Sequence, residues 1–143
     1  MKIKILLPVD GSACSLRAVD HLLTHAAWFA EVPEVHLLHV HPPIPIGRVQ
    51  AHIGKDTLHG YYLEEGQVSL LEAQKKLDAA GRFHTTHIHV GQPAEVIAHV
   101  ATELACDLII MGTHGQSALA GVLTGSVAAR VLHLAPCPVL LVK

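Results

Sequence analysis

The chain has 143 residues, half of them hydrophobic, 15% charged and 3% aromatic, with a formal net charge of −2 when histidine is neutral. That is enough for one compact core over residues 1–143, and too apolar for a disordered segment. Few aromatic rings and scattered Lys and Arg exclude a nucleic-acid platform, while the lack of a long apolar run or leader core excludes a membrane partner and points to the cytoplasm.

Lys2 to Val9 reads as an apolar strand that Asp10-Gly-Ser12 ends. Ser12 can cap a helix over Ala13 to Ala30, where Ala18, Leu22, Leu23, Ala26 and Ala27 recur at helical spacing. Val35 to His41 is a second strand, and Pro42-Pro-Ile-Pro45 opens a loop expected to reach Leu58. Tyr61 to Ala80 is a longer helix closed by Gly81, with Glu72 and Lys76 as a supporting pair one turn apart. Phe83 to Val90 is a third strand, and Pro93 opens a helix at its first turn that runs to Ala105. Asp107 to Met111 is a short buried strand, Val127 to Ala135 the last helix, and Pro138 to Lys143 the last strand.

Five strands separated by helices, each crossover long enough for a parallel connection, predict an α/β fold: a doubly wound, open, five-stranded parallel sheet with helices on both faces. Ligands of such sheets bind beyond the carboxyl ends of the strands, where the strand order reverses. Asp10 and Gly112, each at the end of a strand, are therefore expected to face one crevice. Gly112-Thr-His-Gly115, nine further residues and Gly125-Ser126 follow the Asp107 strand directly. Glycines there would let backbone come close to an anion at the head of a helix, and phosphate is the usual candidate.

The chain resembles the universal stress protein family over essentially its whole length. The residues that carry the likeness are Ile5-Leu-Leu-Pro-Val-Asp-Gly-Ser12, Leu38-His-Val40, Gly91-Gln-Pro-Ala-Glu95, the glycine pattern just described, and Ala135-Pro-Cys-Pro-Val-Leu-Leu-Val142. The glycines match the Gly-x2-Gly-x9-Gly-Ser/Thr signature of the branch that binds ATP. The resemblance implies a Rossmann-like fold of the adenine nucleotide hydrolase type and an ATP-binding module that regulates the stress response. It places Asp10 against the adenosine, the backbone around Pro8, Val9 and Val40 at the adenine edge, and Met111 beside the nucleoside. Gly112, His114 and Gly115 would meet the phosphates, which Gly125, Ser126 and Val127 enclose. It also implies ATP with Mg²⁺ as the bound group, AMP as a possible substitute, and a homodimer formed through the last strand, Val139 to Val142. Nucleotide would order the loops from Pro42 to Leu58 and from Gly112 to Thr124, changing the surface seen by a protein partner that the sequence does not identify.

Each assignment has a plainer rival. Asp10 could simply end its strand, the glycines could serve turns and close packing, and Ser126 could be a helix cap. There is no Lys or Arg from Phe83 to Ala129, so His114 is the one titratable cation candidate in the glycine loop. This keeps open a nucleotide-poor interaction dimer that holds AMP or nothing. Phosphoryl transfer needs cations around the transferring group, so a slow metal-dependent ATPase is the remaining alternative, and no catalytic residue is assigned. The thirteen histidines include His36, His39, His41 and His84, His87, His89 at one shared spacing. If their strands are neighbours, four imidazoles of the type that binds zinc, copper or nickel could face one another, although ordinary surface or core histidines fit the pattern too and no metal site is assigned. Cys14, Cys106 and Cys137 are far apart and odd in number, which suits reduced thiols.

Overall fold

The structure is a computed structural model that describes residues 2–45, 54–114 and 125–143. Its elements run β1 (Lys4–Pro8), α1 (Ala13–Thr24), a 3₁₀ turn (Ala26–Trp28), β2 (Glu34–His41), α2 (Lys55–Ala79), β3 (His84–Val90), α3 (Pro93–Glu103), β4 (Leu108–Gly112), α4 (Ser126–Leu134) and β5 (Val139–Val142). The five strands form one parallel sheet in the order β3-β2-β1-β4-β5. This is the doubly wound α/β architecture expected.

Central position explains the sequence of β1. Ile5, Leu6 and Leu7 are all fully buried, so the strand is a continuous apolar run, as in a parallel sheet covered on both faces. Ile5, Leu7, Val35, Leu37 and Ile110 pack under α1 and α2 with Ala18, Val19, Leu22, Leu70, Ala73 and Leu77. Leu6, Leu38, Ile109 and Met111 pack on the other face with Ile97, Val100, Ala128 and Val131 of α3 and α4.

The helix ends differ from expectation in two places. Helix α2 begins at Lys55, six residues before Tyr61, with Gly54 in the cap position and Asp56 in the first turn. Carboxylates are favourable there because they face the positive end of the helix dipole, and no proline interrupts the added turn. Helix α1 stops at Thr24, and the expected last turn is a separate 3₁₀ turn. There the rings of His21, His25 and Trp28 pack on one another, with His21 and His25 centroids 4.0 Å apart. The expected Glu72–Lys76 pair is also replaced: Lys76 reaches Asp20 of α1 at 2.9 Å, and Glu72 meets Lys75 at 3.3 Å. Gly66 explains how closely α2 approaches β3, because a Cβ there would lie 2.6 Å from Ile88 Cγ2.

Strands β2 and β3 are neighbours, yet the four imidazoles do not meet. The register pairs Leu38 with His87 and Val40 with His89, so His87 and His89 lie on the α3 face while His39 and His41 point to the α2 face. A different contact forms. His36, buried at 6% exposure, sits between Glu34 and His87, with Nε2 2.8 Å from Glu34 Oε1 and Nδ1 2.9 Å from His87 Nε2. Among the described residues no group of three or more His, Cys, Asp or Glu side chains is arranged to hold a metal ion.

This contact makes stability depend on pH. Burial first, and then the charges of His36 and His89, hold the His87 imidazole below its ordinary value. A base lowered by folding contributes stability that is complete above its unfolded value and lost as pH falls through its folded one. His21, lowered by burial and by His25, acts in the same sense. The urea midpoint should therefore fall as pH drops below about 6.5, and His87→Gln should make that fall shallower. Equal slopes for wild type and variant would contradict the assignment.

Candidate functional site

The chain leaves β1 toward β2 on one side and returns to β4 on the other. The crossover direction reverses between β1 and β4, and the diverging loops leave a crevice beyond their carboxyl ends. A cavity of about 620 Å³ occupies that crevice. Its lining comes from the ends of β1, β2 and β4, from Glu65 and Ser69 on α2, from Pro93 and Ile97 on α3, and from the start of α4. Pro8, Val9, Asp10, Val40, Met111, Gly112, His114, Gly125, Ser126 and Val127 all line it. Gly115 lies outside the described residues.

The β1 and β2 ends form one wall. Val9 N–H donates to Leu38 O at 2.8 Å, and Val9 O accepts from His39 Nδ1 at 2.9 Å. A carbonyl can only accept, so this bond fixes the His39 ring with its proton on Nδ1. His41 similarly donates from Nδ1 to Pro42 O at 2.6 Å, and its ring packs 5.0 Å from that of Tyr62. Asp10 Oδ1 accepts from Ser12 N–H at 2.9 Å, a turn bond that holds this carboxylate at the cavity mouth. The α1 cap is Ser12, whose side chain accepts from Ser15 N–H at 3.2 Å.

The opposite wall is where β4 meets α4. Gly125 N–H donates to Thr113 O at 2.6 Å, which ties together the two described ends of the glycine loop. Gly125 occupies the α4 cap position and Ser126 is the first helical residue, with no side-chain cap among the described residues. Ser126 is thus not the cap that its residue type suggested, and the first residues of α4, Ser126, Val127 and Ala128, line the cavity. Both described glycines of the motif are needed for space. A Cβ on Gly125 would lie 2.7 Å from Thr113 O, and one on Gly112 would lie 2.8 Å from both Cys14 O and Cys14 Sγ.

Cys14, Thr113, His39, Glu65 and Ser69 were not singled out as site residues. Thr113 is 5% exposed and places its Oγ1 3.0 Å from His114 Nδ1. His114 N–H donates to Cys14 Sγ at 3.5 Å. Burial pushes the Cys14 thiol up, but hydrogen bonds from His114 and Thr113 and the charge of Arg17 bring it below its ordinary value overall. The signal for these residues was indirect: Thr113 lies within the Gly112-Thr-His-Gly115 run, Cys14 is the second residue of α1, and Glu65 and Ser69 are one turn apart on α2. Chemically, the cavity offers apolar walls from Val9, Val40, Ile97 and Met111, carboxylates from Asp10 and Glu65, and backbone donors at α4. None of its described lining residues is Lys or Arg.

The universal stress protein family model matches residues 1–143. Universal stress protein MJ0531 of Methanocaldococcus jannaschii is 38% identical over 142 residues, which span 98% of this chain and 81% of that protein. Protein MJ0577 of the same organism has a solved structure that matches with a TM-score of 0.84 at 34% identity, over 100% of this chain and 96% of its own. A universal stress protein solved in complex with cAMP matches with a TM-score of 0.70 at 29% identity, over 99% and 97% of the two chains.

The packing around Gly125 can be tested without a ligand. Gly125→Val places side-chain atoms against the Thr113 carbonyl, a backbone group that cannot rotate away. The expected loss is about 1–3 kcal/mol of unfolding free energy in urea, the usual cost of overpacking. A variant as stable as wild type would show that the two ends of the loop are not held together as described.

Proposed function

This chain belongs to the universal stress protein family, and from that premise we propose that it binds ATP in the switch-point cavity as a regulatory module of the stress response. The observation that carries the reading is the joining, in one cavity, of an apolar wall at the β1 and β2 ends with the start of α4, which has no side-chain cap among the described residues. The adenine lies along the Val9 and Val40 backbone, Asp10 meets the adenosine, and Met111 flanks the nucleoside. The N–H groups of Ser126 and Val127 receive phosphate oxygens, as helix N-termini do for anions generally. Gly112, His114 and Gly115 complete the phosphate end. Mg²⁺ arrives on the triphosphate, since it commonly keeps most of its ligands from phosphates and water. The chain pairs with a second copy through β5, an edge strand whose Val139, Leu140, Leu141 and Val142 are all half-buried. Occupancy of the cavity then alters the neighbouring surface that a protein partner reads, to the extent that nucleotide binds two arrangements differently.

A second reading rests on the described lining of the cavity, none of which is Lys or Arg. With backbone donors and His114 as the described groups at the phosphate end, the cavity would favour adenosine or AMP over a triphosphate, and the dimer would act by interaction. Turnover of ATP is the less supported extension, because the described lining holds Asp10 and Glu65 but no cationic Lys or Arg to balance a transferring phosphoryl group.

Calorimetric titration with ATP and AMP, each with and without Mg²⁺, separates these readings. The ATP reading expects micromolar binding that needs Mg²⁺ and is lost in Gly115→Val. Equal affinity for AMP points to the second reading, and no binding of either nucleotide contradicts both.

A further inference from the structure

None of the described residues that line the cavity is Lys or Arg, and His114 stands at the described start of the glycine loop. His114 lines the cavity, and its backbone packs against the start of α4, since a Cβ on Gly125 would lie 3.3 Å from His114 Cα. Among the described residues, Thr113 Oγ1 lies 3.0 Å from the ring Nδ1 and Cys14 Sγ 3.5 Å from the backbone N. Both partners are buried. A hydroxyl can donate to the Nδ1 of a neutral imidazole or accept from the N–H of a charged one. Thr113 therefore holds the ring in the same place in either protonation state.

We propose that His114 is the charge partner of the ligand's phosphate and takes up a proton when a phosphorylated adenosine binds. The proposal rests on the nucleotide reading above and names what selects the phosphorylated form. A phosphate beside an imidazole favours the charged ring, whereas adenosine brings no charge and leaves the ring as it was. The other described titratable groups around the cavity are Asp10 at the end of β1, His39 and His41 on β2, Glu65 on α2 and Cys14 on α1, beside which lies the charge of Arg17. The described lining residues from α3 and α4 do not titrate. His39 and His41 each commit Nδ1 to a backbone carbonyl at the β1–β2 end. Among the described lining histidines, His114 is the one whose backbone packs against the start of α4.

The test uses AMP and adenosine, titrated calorimetrically in two buffers of different ionisation enthalpy, against wild type and His114→Gln. A charged ring also lowers the phosphate's own second pKa, so proton uptake is compared above about pH 7, where AMP's phosphate is already nearly fully ionised and adds little to the difference. Wild type should take up more protons than the variant on binding AMP at neutral pH. For a coupling of one pKa unit, its ratio of AMP to adenosine affinity should exceed the variant's by about tenfold near pH 6 and converge with it near pH 8. His114→Lys, charged throughout, should keep the high ratio at both values. Equal proton uptake by wild type and His114→Gln, or a ratio that the substitution leaves unchanged, overturns the proposal. Binding of neither ligand at any pH overturns the nucleotide reading and this proposal with it.

Discussion

Ile5, Leu6 and Leu7 lose all contact with water on both sides of the sheet, and the rest of the architecture depends on that burial. Each such side chain stabilises the fold by about 2 kcal/mol relative to exposure, but only if helices cover both faces. Helices α1 and α2 cover one face, and α3 and α4 cover the other. The chain must therefore build outward from β1 in two directions. The reversal that satisfies the core is the same reversal that opens a cavity between the ends of β1 and β4.

Around that cavity, space is managed by two glycines rather than by flexible side chains. Gly112 lets Cys14 at the start of α1 rest against the end of β4, and Gly125 lets the start of α4 rest against Thr113. The two helix starts thereby converge on the loop ends, and the first turn of α4, with no side-chain cap among the described residues, lines the cavity. The first N–H groups of a helix have no partner within the helix, and an anion can satisfy them. The arrangement suits a ligand with an apolar, planar end and an anionic end.

Much of this was legible in the sequence because it follows from periodicity and topology. The apolar run of β1 marked a strand, and the doubly wound order placed Asp10 and Gly112 in one crevice, although 102 positions separate them in the chain. What was not legible depended on register and on three-dimensional neighbours. The shared spacing of the histidine clusters could not reveal that pairing Leu38 with His87 sends His39 to the other face and leaves His36 as the true neighbour of His87. Gly112 was equally ambiguous, since a glycine that admits a ligand and one that admits Cys14 look the same in sequence. The early start of α2 at Lys55 escaped notice because the preceding prolines suggested a loop that reaches Leu58.

The central claim is that adenine nucleotide binds between the β1–β2 wall and the start of α4. The most direct measurement is a titration of the isotopically labelled protein with ATP and Mg²⁺, followed by backbone amide resonances. The account predicts that the largest shifts fall on Val9, Val40, Ser126 and Val127, while Trp28 and the outer surface of α2 stay unmoved. Shifts concentrated near Trp28, or none at saturating nucleotide, would contradict it.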